Sequence, residues 1–510
     1  MIDKQLKVAT FEVDATPEVG KPIEYGTVES ITDSLSCRGI VLLSDELPVV
    51  LVSVDWLGNF NGGYDLWRNT LADTAKTTPN RVAVHTVHQH EAPGFDMDAV
   101  KILHSHGVPD AGIDVEFASN TIRRAANALR EALASPSIVT NLGIGTAEVK
   151  KVASNRLLIG QNGNYAQGRP SSENNPEVRK LPEGVIDPKI RIISFWDGDN
   201  PKAALSYYAT HPQSYWGDRD VTCDFVGLAR NRSEKAWGVP LIHFTGAAGN
   251  VAAGKYNDGS EEARSKLTQR LAAGMDEAWE STKHFPITTG DVEWRVRPVS
   301  LPIADWIEEN PLVEALSVSS NSWLPKIHKN DIPKLLRLIY LGSLINAPIN
   351  LQYESPPQLY STILTRRRYP HIAQIARDLV WFQRCKAGDK IPLTSLQIGD
   401  VCILNTPGEL FVEYQLAACE MRPDLTVAVA AYGDCAPFYI GTREAYKHGG
   451  YGTGMESKVS PEVEGIFIDA FCDLLRVSND EEVTTPSEIT SERKPRINQI
   501  NPLNCSGRVK

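Results

Sequence analysis

Short apolar runs of strand length alternate with longer segments of helical spacing along most of this chain, and that alternation limits the folds open to it. Residues 40–43 and 49–54 are apolar β runs separated by Ser44-Asp45-Glu46-Leu47-Pro48, a polar turn that makes the pair a hairpin. Helical spacing follows over 64–76 and stops before Pro79-Asn80, and 81–86 is again a strand. Over 116–134, Ile122, Ala125, Leu129 and Leu133 recur at helical intervals. Strands are expected at 190–196, 203–208 and 240–244, with helices at 224–237 and 260–280. After residue 400 the alternation resumes as strand 401–404, helix 411–419, strand 426–431 and helix 462–475. The pattern predicts an α/β fold, a layered mixed β-sheet with flanking helices.

Two stretches depart from it. Between about 300 and 395 the spacing is broken by Trp306, Trp323, Pro325, Pro333, Pro348, Pro356 and Pro357, and 335–345 is the single helical candidate. This stretch reads as an inserted cap or lid within a catalytic domain spanning 1–478. The tail, 479–510, is polar and rich in Glu, Ser, Thr and Pro, and reads as an extended or disordered arm.

Charge and cysteine usage exclude some functions. With 52 Lys+Arg against 63 Asp+Glu, the net charge of −11 argues against a general nucleic-acid binder, which needs clustered cations for phosphate. No apolar run approaches the ~20 residues that cross a bilayer, so stable membrane insertion is not expected. Residues 1–7 lack an apolar signal core, and the cytoplasm is the expected location. The eight cysteines are scattered with no CxxC pair, which argues for reduced thiols and against a thiolate zinc site. A homo-oligomer is compatible with the sequence.

Four expected strands run into polar, metal-capable residues at their carboxyl ends, where open α/β sheets bind ligands. Val82-Ala83-Val84 leads into His85, His88 and His90, and 205–208 leads into His211. Cys402-Ile403-Leu404 leads into Glu409, and Val427-Ala428-Val429 leads through Tyr432 to Tyr439. Two imidazoles and a carboxylate are the zinc set of many hydrolases. His88 and His90, two residues apart, can divide the work, one ligating and the other moving protons. His104-Ser105-His106 has no strand leading into it and reads as loop. Asp218, Asp220 and Asp224 lack calcium-loop spacing and read as turn residues. The run Gly449 to Gly454 reads as a mobile loop near the site rather than a phosphate cradle, since it lacks the Lys-Ser/Thr of a P-loop.

Taken in order, several segments resemble the neutral/alkaline non-lysosomal ceramidases. His88-Gln89-His90-Glu91-Ala92-Pro93-Gly94 is similar to their HTHxxPG signature, Ser154-Asn155-Arg156 to their SNR segment and Gly249-Asn250-Val251 to their glycine-Asp-Val turn. Pro407-Gly408-Glu409 resembles their PGE motif, and 439–446 their tyrosine-x-x-Thr-x-Glu-x-tyrosine run. The match spans about residues 8 to 475. It implies one Zn²⁺ per chain held by His88, His211, Glu409 and Tyr439, with His90 as general acid/base. Arg156 lies in a matched segment, either binding a carboxylate or hydroxyl of a substrate or forming an ordinary surface ion pair. Asp55, at a strand end, either steadies a ligand histidine or caps the turn.

The chain also departs from that family. Asn250 stands where the pattern has an acidic residue and Ala252 where it has a serine, so a serine mechanism does not transfer. The chain has no room for the family's C-terminal immunoglobulin-like domain. The expected activity is therefore zinc-dependent hydrolysis of an amide C–N bond in a small soluble substrate, by metal-activated water. Two other readings stay open. One is C–O cleavage in a sugar-like substrate, with Tyr215, Trp216, Trp306 and Trp323 available to line a polar pocket. The other is a non-catalytic binding protein on the same scaffold.

Overall fold

The polar turn at 44–48 does close a hairpin, and that hairpin lies inside a larger sheet. The computed structural model describes residues 5–108, 112–159, 165–320, 370–478 and 483–492. In the first sheet, β1 (Leu6–Asp14), β2 (Ser36–Leu43), β3 (Val49–Val54), β4 (Val82–Thr86) and β5 (Ser137–Val139) stand in the order β5-β1-β2-β3-β4. A second holds β6 (Asn141–Glu148), β7 (Lys189–Asp197), β8 (Asn200–Tyr208), β9 (Leu241–Thr245) and β10 (Lys283–Pro286), ordered β9-β8-β7-β6-β10. A third runs β11-β12-β13-β14, from β11 (Val292–Val299), β12 (Ile391–Ile398), β13 (Val401–Asn405) and β14 (Thr426–Ala430).

The three sheets share one plan. Each is antiparallel except for one edge pair, and those pairs, β3 with β4, β8 with β9 and β13 with β14, are parallel. Their carboxyl ends meet. The Ala431 N–H donates to the Thr245 carbonyl at 3.0 Å, and the Thr86 N–H donates to the Tyr432 carbonyl at 3.0 Å. Thr245 Oγ1 donates to the Val87 carbonyl at 2.8 Å, and Ser53 Oγ donates to the His243 carbonyl at 2.6 Å. Backbone polar groups that would be orphaned at these buried strand ends are thereby satisfied.

Both faces of these strands are buried, so they read as unbroken apolar runs rather than alternating ones. Ile40, Leu51, Phe195, Leu205, Phe244, Leu396 and Ile403 fill a core shared by all three sheets. The opposite faces pack under helices. The helix Val115–Ala132 begins where the Asp114 side chain accepts the Phe117 N–H at 2.9 Å, and it buries Ala118, Ile122, Ala125 and Leu129. The helix Glu261–Glu280 is capped by Ser260 and buries Leu267, Leu271 and Met275. Such a cap is worth about 1 kcal/mol, and each large apolar side chain taken from water about 1.5–3 kcal/mol.

Most expected elements are present within a few residues of their anticipated bounds; among the strands of the three sheets, β5, β6, β10, β11 and β12 were not expected. Because Val299 is the register partner of Ile391, the chain leaves the third sheet and re-enters it at one place. The helices Glu309–Ser320 and Pro370–Ala387 lie on this excursion, whereas the expected helix at 335–345, and Trp323, fall outside the described residues. His104-Ser105-His106 is not loop: it ends the helix Met97–Ser105, which Asp96 caps by accepting the Asp98 and Ala99 N–H groups. Within the polar tail, Pro486–Glu492 is helical, with Ile489 buried. The seven described cysteines are free thiols, and among the described residues no helix is long and apolar enough to cross a membrane.

Candidate functional site

The converging strand ends carry the polar residues with them. His88 follows β4 in a left-handed backbone conformation with φ 68°, as does Tyr432 after β14 with φ 63°. An L-residue in that region gives up about 1–2 kcal/mol, which surrounding packing must offset. Here the two rings stack on each other with centroids 4.4 Å apart. The turn after β4 thereby points the His88 ring inward.

His88 Nδ1 donates to the Leu57 carbonyl at 2.7 Å, and His211 Nδ1 donates to the Ala248 carbonyl at 2.6 Å. A carbonyl can only accept, so both rings carry their proton on Nδ1 and turn Nε2 toward the centre. There His211 Nε2 lies 3.0 Å and His88 Nε2 3.2 Å from the same atom, Glu409 Oε2. His88 Nε2 has no hydrogen-bond partner among the described atoms. Ligand atoms ~2.0–2.1 Å from a shared tetrahedral ion stand ~3.3 Å apart, so this spacing fits a divalent cation. Burial would raise the Glu409 carboxyl, but the neighbouring His88 and His211 imidazoles carry it well below the usual range. Burial pushes His211 down to about 4.

Tyr439 reaches the same centre from another direction. Glu409–Leu410 and Tyr439–Ile440 form a parallel bridge in which Glu409 pairs with Tyr439. The Tyr439 ring lies parallel to that of His211, with centroids 6.4 Å apart. Its hydroxyl accepts from Arg156 Nη1 at 3.2 Å and meets the Tyr451 hydroxyl at 2.9 Å. Burial, with Glu409 and Tyr451 adding, raises the phenol above its ordinary value. A bound cation works in the opposite direction on a coordinated acid.

His90 stands beside the three. Its imidazole and those of His88 and His211 form a buried group whose ligand atoms all lie within 4.8 Å of one another. His90 Nδ1 has no partner among the described atoms, and burial reinforced by His88 and His211 holds the ring well below the ordinary imidazole value. Both influences favour the uncharged form of the ring. These three imidazoles could hold a metal ion between them, and two of them, His88 and His211, also approach Glu409 Oε2.

Arg156 is buried, not a surface ion-pair partner. Nη2 donates to Ser171 Oγ at 2.7 Å and Gln213 Oε1 at 2.8 Å, while the guanidinium lies 5.2 Å from the Tyr451 ring centre. Among the described residues no carboxylate pairs with it within ion-pair distance. Asp55 does not hold a histidine: its carboxylate takes Arg230 at 2.6 and 3.0 Å and the Ser36 N–H at 2.8 Å. Asn250 accepts the Val412 N–H at 2.9 Å and donates to Glu413 at 2.8 Å, a fully used structural side chain. Val251 and Ala252 pair with Asn155 and Ser154, which brings two of the matched segments side by side.

Three aromatic residues at the site carried little or no sequence signal. Tyr25, in the small hairpin of Pro22–Ile23 with Gly26–Thr27, lies parallel to His90 at 5.9 Å, and Trp216 meets it edge-on at 5.5 Å. The turn that follows Trp216 is held by Glu91, whose carboxylate accepts the N–H groups of Gly217, Asp218 and Arg219. Tyr451 lies within the glycine run, where Gly452 has φ 82° and a Cβ would come within 3.0 Å of the Tyr439 ring. Tyr215 packs against Arg264 and Trp306 bonds the Ser457 carbonyl, so neither matches Trp216 in position.

No protein-family model matches the chain. No curated protein matches it either. Solved structures do. A ceramidase complexed with C2 superposes with a TM-score of 0.60 at 17% identity, over 95% of this chain and 78% of that one. Neutral ceramidase from Pseudomonas aeruginosa gives a TM-score of 0.60 at 16% identity, over 95% and 77%. The likeness establishes the fold: this chain is built on the architecture of the ceramidase structures.

Proposed function

We propose that the protein is a zinc-dependent hydrolase that cleaves an amide C–N bond in a small substrate. One observation carries the reading: two imidazoles, their tautomers set by backbone carbonyls, aim Nε2 at one buried carboxylate oxygen. Lone pairs gathered around a carboxylate repel one another unless a cation lies among them. In this reading His88, His211, Glu409 and Tyr439 hold one Zn²⁺. When bound, zinc makes a water nucleophilic near neutral pH and polarises a carbonyl.

The chain's own residues supply the rest. Leu57 and Ala248 fix the ligand rings through their carbonyls. His90, neutral and with a free ring nitrogen, takes a proton from the attacking water and returns it to the departing nitrogen, a contribution of ~10²–10⁴ in rate. Arg156, buried without a carboxylate partner among the described residues, receives a carboxylate or hydroxyl of the substrate. Tyr25 and Trp216 form the wall opposite. Ala252 offers no hydroxyl, so attack falls to water.

A second reading, C–O cleavage in a sugar-like substrate, draws support from the Tyr25–Trp216 aromatic pair beside His90 and from the polar Ser171 and Gln213 that hold Arg156. Assaying the zinc-loaded protein for amine release against reducing-sugar or unsaturated products separates the two. A protein that binds zinc, keeps His90 and turns over neither class is the binding protein instead.

A further inference from the structure

Residues 377 and 378 are neighbours of opposite charge on the helix Pro370–Ala387, and each reaches a different wall of the pocket. Arg377 makes a two-point ion pair with Glu24, at 2.5 and 3.0 Å, and lies 4.2 Å over the Phe60 ring centre. Glu24 immediately precedes Tyr25, whose ring covers His90. Gly94 makes the space for this pair: a Cβ there would run into the Glu24 carboxylate and come within 3.0 Å of the Arg377 guanidinium.

Asp378 turns the other way. Its Oδ2 pairs with Lys458 Nζ at 3.0 Å, with both side chains buried. Lys458 also donates to the Met455 carbonyl, and the Trp381 indole, one turn along the same helix, donates to the Lys458 carbonyl at 3.1 Å. The Lys458 N–H donates to the Pro437 carbonyl at 3.1 Å and the Tyr439 N–H to the Glu456 carbonyl at 3.3 Å. The segment that Asp378 grips is thus bonded directly to the backbone of Tyr439.

The geometry points to a brace: Arg377 positions His90 through Glu24 and Tyr25, and Asp378 positions Tyr439 through Lys458. Both are positioning residues, and the inference rests on the roles proposed above for His90 and Tyr439. Its signature is separability. Adjacent residues on one helix should control two different properties of the site, whereas a purely stabilising helix would link them.

The test uses the full-length protein, loaded with Co²⁺ as a spectroscopic probe, and follows two readouts. The first is the rate of diethyl pyrocarbonate labelling at His90, resolved by peptide mass spectrometry; the second is the visible Co²⁺ spectrum. Glu24→Gln and Arg377→Met should raise His90 labelling roughly fivefold, as expected when a local contact is loosened, and leave the spectrum unchanged. Asp378→Asn should shift the spectrum and leave His90 labelling unchanged. Tyr25→Leu should reproduce the first result and Tyr25→Phe should not. If Arg377→Met does not fold, the Glu24→Gln variant, whose side chain is 11% exposed, decides that arm. Both readouts moving together, or neither moving, overturns the brace. A wild-type protein that takes up no Co²⁺ defeats the metal reading instead, and the brace is then decided by His90 labelling.

Discussion

Glu409 and Tyr439 are register partners across a two-residue parallel bridge, with Leu410 opposite Ile440 in the next step. Paired residues project from the same face, so one bridge sets a carboxylate and a phenol side by side. Between them in the chain lie the helix Val412–Met421 and β14.

Metal content should divide the histidines. His88→Ala and His211→Ala should lower Zn²⁺ from about one per chain to below about a tenth, measured by elemental analysis after gel filtration. His90→Ala should keep the metal and lose ~10²–10⁴ in turnover. Full zinc in the His88 variant would contradict the ligand set.

Gly249 should be needed for the same site. A Cβ at this position would run into the Glu409 carbonyl and come within 3.0 Å of the Phe411 ring. Gly249→Ala should therefore shift the Glu409 backbone, cost about 1–3 kcal/mol in denaturant unfolding, and weaken zinc in a chelator competition.

Asp55 is expected to matter for stability rather than chemistry. Its carboxylate and Arg230 are both almost wholly buried, and removing one partner of such a pair costs about 3–5 kcal/mol. Asp55→Ala should lose that much, while zinc stoichiometry in the folded fraction stays the same. Burial opposes the ionised form, but Arg230 and the Ser36 N–H outweigh it and hold the folded-state value below normal. The stabilisation from Asp55 is thus complete above pH ~4 and fades as the medium becomes more acidic.

Asp434 should behave in the reverse sense. Burial pushes its carboxyl up to about 7, while the Asn61 and Ala436 N–H groups both bond Oδ1. A raised acid stabilises the fold below its unfolded value of ~3.9 and loses that contribution as pH climbs toward 7. Asp434→Asn keeps the accepting oxygen and cannot ionise. Its stability relative to wild type should rise by roughly 1–4 kcal/mol between pH 4 and pH 8, followed by urea unfolding. A difference that stays flat over that window would place the Asp434 charge elsewhere.

Much of this architecture was visible in the chain itself. Strands buried on both faces leave continuous apolar runs, so β4, β8 and β14 stood out, and their ends pointed to His88, His211 and Tyr439. β6 and β12 were hidden by mixed composition: Gly143 and Gly145 interrupt one, and Pro392, Thr394 and Ser395 the other. Asp55 was misjudged because its partner, Arg230, is 175 residues away and pairing at that range leaves no local mark. Tyr25 was missed for the same reason. Its importance comes from a stacking partner 65 positions along, and nothing in its own neighbourhood announces that.

Where the strand ends meet has a bearing on how the protein is made. These side chains leave the ribosome in the order His88, His211, Glu409, Tyr439, with three strands of the second sheet synthesised between the first and the second. In the proposed reading of the site, a nascent polypeptide that stops short of residue 439 lacks one of the four side chains that hold the metal. Contacts of such long sequence separation form slowly, and metal uptake would then come late in biosynthesis, a sign that synthesis had run to completion.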